Sequence, residues 1–158
     1  MRIGFGYDVH RLKSGRKCIL CGVEIPNDFG PDGHSDADVP VHALIDALLG
    51  AAALGDIGRY YPDTDKKWKN TSSINMLKES YSLVSSSGYY LGNADITIVL
   101  ESPRVSAYID AMRATLAKAL ETDVNNISVK ATTEEKLGFT GSGDGISATA
   151  AVLLCSIK

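Results

Sequence analysis

A chain of 158 residues with a net charge of −3 is long enough for one packed core, and it carries no global positive field of the kind that draws nucleic acid. Hydrophobic residues make up 44% and charged residues 22%, the balance of a globular domain and not of a disordered or fibrous chain. No stretch of about 18 apolar residues occurs, and patterned sequence follows Met1 at once, so neither a membrane span nor a targeting segment is expected, and a cytoplasmic setting is.

Residues 2–11 and 17–25 alternate in part and flank "KSGR", which predicts a β-hairpin. Cys18 and Cys21 form a C-x-x-C, a spacing that invites a redox or zinc reading. Read as one strand, "KCILCGVEI" sends the two thiols to opposite faces. They and Cys155, in an apolar C-terminal run, are expected to be reduced packing residues. Residues 26–37, "PNDFGPDGHSDA", read as a loop. Asp38 supplies an N-cap for "VPVHALIDALLGAAAL", with Pro40 in the first turn and Gly55 as the stop. "DIGRYYPDTDKKWKNTS" reads as a polar, mobile loop, and Ser73 to Ser87 as a second helix closed by Gly88. "YLGNADITIVLES" predicts a strand, Pro103 opens a third helix from Val105 to Glu121, and "NISVKATT" and "DGISATAAVLLCSI" close the chain as strands. Strands and helices mix without a strict β-α rhythm. The expected fold is therefore α+β, one domain over residues 1–158, with a mixed β-sheet packed on one face by helices.

Only three histidines occur, His10, His34 and His42, and one of them stands in "GYDVH". On a strand, Asp8 and His10 share a face about 7 Å apart. Asp38, His42 and Asp46 fall at i, i+4 and i+8, a polar stripe on an otherwise apolar helix. If His42 joins Asp8 and His10, two imidazoles and a carboxylate leave a fourth position open, which favours a catalytic zinc over a structural one. Asp38 or Asp46 would then fix the other nitrogen of His42. Spacing alone equally allows a solvated strand face and a packed histidine.

"GPDGHSDAD" sets His34 and Ser35 in a glycine-bracketed loop before a helix N-terminus, hospitable to phosphate but also readable as a plain loop. "KATTEEKLGFTGSGDG" puts hydroxyls beside carboxylates, which suits a phosphate with a hard divalent cation, or a capping box between Thr132 and Glu135. It lacks the G-K-[ST] of a P-loop, and H-E-x-x-H occurs nowhere.

Four stretches, "GYDVHRL", "HSDADVPVHALIDALLGAAALGDIGRYYPDTD", "GNADITIVLESPR" and "VKATTEEKLGFTGSGDGI", run in order from residue 4 to residue 146. Together they resemble the 2-C-methyl-D-erythritol 2,4-cyclodiphosphate synthase family. The resemblance implies a lyase of the non-mevalonate isoprenoid pathway that cyclises 4-diphosphocytidyl-2-C-methyl-D-erythritol 2-phosphate and releases CMP. It implies zinc on Asp8, His10 and His42, magnesium or manganese on Glu135, and transition-state stabilisation by His34 and Thr133. It also assigns substrate contacts to Val9, Ser35, Asp56, Ile57, Gly58, Tyr61, Pro62, Asp63, Thr64 and Asp65. The cytidine side falls on Leu100, Glu101, Ser102, Pro103, Arg104, Val105 and Ser106, with Thr132, Glu134 and Phe139. A homotrimer with its sheets facing the threefold axis and its active sites between subunits is implied too, with no nucleic-acid or membrane partner. Arg104, where the family often has Lys, and Tyr61, in place of Phe, preserve the chemistry. Ser142, where Arg is common, and Thr149, where an acidic residue is often found, do not, so the family's axial channel for isoprenoid diphosphates is expected to bind weakly here. A metal-dependent phosphohydrolase and a non-catalytic, metal-stapled trimer stand as rival readings.

Overall fold

The structure, a computed structural model, describes residues 1–62, 64–68 and 71–157. Strands β1 (Arg2–Ser14), β4 (Phe29–Pro31), β5 (Tyr89–Val99), β6 (Ile127–Thr132) and β7 (Gly145–Ser156) form one sheet in the order β4-β1-β7-β5-β6. β7 pairs antiparallel with β1 on one side and β5 on the other, whereas β5 and β6 run parallel. A parallel pair needs a crossover, and α4 (Ile109–Ala119) supplies it. Helices α1 (Val39–Ala51) and α3 (Ser73–Ser86) complete the helical layer, and short α2 (Ile57–Tyr60) and α5 (Gly138–Gly141) sit in connections. The expected α+β architecture is borne out.

Alternation along β1 assigns its two faces. Ile3, Phe5, Tyr7 and Val9 point away from the helices and stand 81%, 68%, 50% and 45% exposed. Gly4, Gly6, Asp8 and His10 point toward α1, paired across the sheet with Val152, Ala150, Ala148 and Ile146. A Cβ on Gly6 would fall 1.9 Å from the Ala43 carbonyl oxygen, and one on Gly4 the same distance from that of Ala47. Only glycine lets the helix backbone come this near the strand. α1 is apolar nearly all round, with only Asp46 and Gly50 outside the buried set, as expected of a helix enclosed by sheet on one side and α3 on another. Leu44, Ile45, Leu48 and Leu49 are fully buried there, each contributing roughly 1.5–3 kcal/mol by transfer from water.

Several sequence expectations give way to tertiary pairing. Residues 2–11 do not form a hairpin with 17–25: β1 takes β7 and β4 as neighbours. The 17–25 segment is itself a hairpin, β2 (Cys18–Leu20) with β3 (Val23–Ile25), turned at Cys21 (φ 51°) and Gly22 (φ 74°). Positive φ at both residues suits the right-handed twist of the strands. Cys18 and Cys21 are therefore not on opposite faces of one strand; both are buried and free. Burial pushes the Cys18 thiol up to about 11 and the Cys21 thiol upward as well, so they stay protonated packing groups. The 26–37 loop contains β4, where Leu12 to Ser14 find partners. α1 ends at Ala51, with Ala53 at φ 58°, before reaching Gly55. The 56–72 stretch holds α2 and a 3₁₀ turn at Lys66–Trp68. The third helix begins later than expected, behind a 3₁₀ turn at Ser106–Tyr108.

Asp38 caps α1 as expected, accepting from the Val41 N–H at 3.3 Å. Fully buried, it also accepts from the Cys21 and Gly22 N–H groups at 2.8 and 2.6 Å, which ties the hairpin to the helix. Burial and the charge of Asp36 push its carboxyl up to about 7, opposed by those two amides.

Two outcomes follow from this layer. Gly6→Ala should cost on the order of 3 kcal/mol, the range for forced overpacking, seen as a lower urea midpoint. Asp38→Ala orphans three N–H groups and should cost about 2–4 kcal/mol in the same titration.

Candidate metal and substrate site

The glycines that admit α1 also decide what meets above them. Beyond Gly6 on the same face of β1 come Asp8 and His10, and one turn along α1 from Asp38 comes His42. One ligand atom from each of Asp8, His10 and His42 lies within 4.8 Å of the others. Both imidazoles turn Nδ1 toward the same Asp8 Oδ2, at 3.0 Å each. The rings are 5.4 Å apart and tilted by 54°. His42 makes a hydrogen bond to that oxygen, whereas His10 Nδ1 is buried without one despite the short approach, because its geometry is poor. One carboxylate oxygen facing two imidazole nitrogens, one of them orphaned, is a donor set that fits a divalent cation.

Charge is concentrated at this point. Burial pushes the Asp8 carboxyl up, but the close approach of His10 and the hydrogen bond and charge contact with His42 outweigh that and hold it below the usual carboxylate value. Burial works against a charged His42, yet contact with Asp8 and the fields of Asp38 and Asp36 raise it. The Asp46 carboxyl is raised by burial and by Asp56 and Asp8, against the N–H of Ile57 that it accepts at 2.7 Å.

The expected partner of the other His42 nitrogen is wrong. Asp38 faces the hairpin and Asp46 faces Ile57, so neither reaches Nε2. Ser73 Oγ at 2.9 Å and Ser35 Oγ at 3.2 Å stand there instead. Sequence reasoning missed Ser73; its place at a helix start was legible, but its approach to His42 depends on how α3 docks.

Two clefts hold the expected residues. The first, of about 570 Å3, is lined by Asp8, His10, His34, Ser35 and His42, and by Ile57, Gly58, Tyr61, Pro62 and Thr64. Gly33 lets the loop before His34 lie on the His10 ring, since a Cβ there would be 2.7 Å from Nε2. Arg16 donates to the carbonyls of Pro31, Gly33 and Ser35, which holds that loop in shape. Tyr61 offers its ring to the cleft, while its hydroxyl donates to the Met76 carbonyl at 3.0 Å and meets Ser80. Asp56 caps α2 through the Arg59 N–H, and Asp65 accepts from the Lys67 N–H. Asp63 lies outside the described residues.

The second cleft, of about 450 Å3, is lined by Leu100, Glu101, Pro103, Arg104, Val105 and Ser106 on one stretch and by Thr132, Thr133 and Glu135 on another. Parallel pairing of β5 with β6 brings the two together, with Val99 opposite Thr132. Thr133 Oγ1 donates to Glu135 at 2.9 Å, so the alternative reading of a capping box between Thr132 and Glu135 is not met; Thr132 turns to the Thr133 carbonyl. Ser102 and Glu134 do not line this cleft, and Glu134 accepts from the Thr140 hydroxyl. Val9 and Phe139 border a third hollow beside Asp144. Ser142 donates to Asp144 at 2.6 Å. Within one chain, the Asp8–His10–His42 cluster and the Thr132–Glu135 segment therefore stay in different clefts.

The YgbB family model matches residues 1–155. The 2-C-methyl-D-erythritol 2,4-cyclodiphosphate synthase of Moorella thermoacetica is 60% identical over 154 residues, covering 98% of this chain and 94% of that protein. The solved bifunctional IspDF of Campylobacter jejuni superposes with a TM-score of 0.96 at 44% identity, over 99% of this chain and 42% of that longer one. A solved 2C-methyl-D-erythritol-2,4-cyclodiphosphate synthase in a CDP-bound form has a TM-score of 0.90 at 38% identity, over 98% of this chain and 100% of that one. Agreement in sequence and in fold across the whole chain has one meaning: this chain belongs to the YgbB family.

Proposed function

We propose that this chain cyclises 4-diphosphocytidyl-2-C-methyl-D-erythritol 2-phosphate to 2-C-methyl-D-erythritol 2,4-cyclodiphosphate with release of CMP, as a phosphorus–oxygen lyase. The observation that carries the reading is the convergence of Asp8, His10 and His42 on one point in a chain 60% identical to a synthase of that name. In the reaction an oxygen of the 2-phosphate bonds to the β-phosphorus, and the bond from that phosphorus to the oxygen leaving with CMP breaks. No water is consumed.

Asp8, His10 and His42 would hold zinc, and Glu135 would help hold magnesium or manganese. Such ions polarise phosphoryl oxygens and neutralise the charge that develops on them. The chain's own share is positioning. The loop strapped by Arg16 presents His34 and the Ser35 amide region to a phosphate at the mouth of the first cleft. Ile57, Gly58 and the Tyr61 ring bound the room left for the erythritol part. In the second cleft Arg104 faces the same space as Thr133 and Glu135, which suits a cytidine diphosphate held by one end.

Each chain would then contribute half of a site. The exposed apolar row Ile3, Phe5, Tyr7 and Val9 supports assembly through this face of the sheet, and a homotrimer with shared sites is the form we propose. Among the described residues no helix is long and apolar enough to cross a membrane. A cytoplasmic, one-domain enzyme without nucleic-acid partners is the setting proposed for it.

Phosphorus-31 spectra of the chain incubated with substrate, zinc and magnesium should show the cyclic diphosphate and CMP. A linear hydrolysis product would mark a phosphohydrolase, and unchanged substrate a structural metal site. The shared site has its own test. His42→Ala and Thr133→Ala should each lose about 10²–10³-fold in turnover, and refolding them together should recover part of it. Mixed assemblies without recovery would exclude the shared site.

A further inference from the structure

Ser73 and Asp36 belong to neither cleft's expected residues, yet they hold the far side of His42. The Asp36 carboxylate accepts the Ser73 N–H at 3.0 Å and the Ser73 hydroxyl proton on its other oxygen. Ser73 is fully buried, so water cannot offer its hydroxyl another partner. A serine hydroxyl has one proton to give. With that proton directed to Asp36, Ser73 Oγ can only accept from His42 Nε2, 2.9 Å away. Ser35 Oγ already accepts the Ala37 N–H at 3.1 Å and lies 3.2 Å from the same nitrogen. Nε2 thus keeps its proton, directed at Ser73, and Nδ1, which hydrogen-bonds to Asp8, is the nitrogen whose proton a metal would displace.

We propose that Ser73, oriented by Asp36, is a positioning residue that sets the tautomer and angle of His42 for metal binding. The inference rests on the metal site proposed above. Its structural logic is a clip: the same Asp36 also donates its N–H to the Thr71 carbonyl at 3.2 Å, so the loop after His34 and the start of α3 are fastened at the point where His42 is held. α3 has no side-chain cap from its own Ser72, and the Asp36 carboxylate takes up the N–H of its first residue, Ser73, instead. One residue therefore caps a helix and directs the proton of a serine that holds a metal-binding imidazole.

Removing a partner of this kind lowers metal affinity about 10–100-fold in comparable sites. Ser73→Ala should weaken zinc by that factor in competition with a chromophoric chelator. Ser73→Thr, which keeps the hydroxyl, should restore most of it. Asp36→Asn should weaken zinc at least as much, because an amide that accepts from the Ser73 N–H must donate to Oγ and so turns the hydroxyl proton toward His42. The unaltered chain gives a readout that needs no variant: with cadmium-113 bound and histidine nitrogen-15 labelled, His42 should show metal coupling at Nδ1 and a proton at Nε2. Absence of any zinc binding by the unaltered chain would overturn the metal site itself. Zinc held equally by the unaltered chain and by folded Ser73→Ala, or metal coupling at Nε2, would overturn the role of Ser73 and leave the metal site standing.

Discussion

Everything chemical in this chain depends on how closely α1 lies against β1. Two glycines with no Cβ let the Ala43 and Ala47 carbonyls come to where a methyl group would otherwise be. With bulkier residues at positions 4 and 6 the helix would stand off by the width of a side chain, and His42 would no longer reach the oxygen of Asp8 that it shares with His10. Apolar packing holds this arrangement: Val152, Ala150 and Ala148 of β7 lie beside the glycines and Asp8, and Leu44 and Leu48 are wholly enclosed. The core therefore acts as a jig, and the polar groups take their positions from close-packed small residues.

The second fixed point is the loop between β4 and α1. Its carbonyls turn back onto Arg16, its Asp38 runs into the hairpin turn, and its Asp36 reaches across to α3. Three otherwise separate segments are thus fastened by one short stretch of polar sequence. Each fastening uses backbone amides or carbonyls, which a buried loop must pair in any case. What distinguishes this loop is that it also brings the Ser35 hydroxyl to His42.

Local pattern carried part of this and tertiary partners the rest. The cap at Asp38, the helix from Ser73 and the strands that became β5, β6 and β7 were legible because each follows from neighbours in sequence. The triad was legible as a possibility, since strand and helix periods put Asp8 with His10 and His42 on a polar stripe. Its closure was not, because contact across 34 residues depends on the two glycines. The hairpin error arose the same way: β1 looked complete with its sequence neighbour, but ten of its residues pair with the far end of the chain. The nitrogen partner of His42 was misassigned because a helix-stripe argument sees only residues on that helix, and the serine that holds it arrives from another.

The wall of the first cleft also contains the single tryptophan of the chain. Trp68 meets the Tyr61 ring edge-on at 4.8 Å, and the Lys67 ammonium lies 4.2 Å from its centroid. An indole between an aromatic edge and a cation emits in a way that either neighbour alters when it moves. Because no second indole dilutes the signal, red-edge excitation isolates this one segment from the seven tyrosines. The fold has in effect placed its own fluorophore in the wall of that cleft, so the entry of the proposed substrate there would be followed by light, without label and independently of turnover.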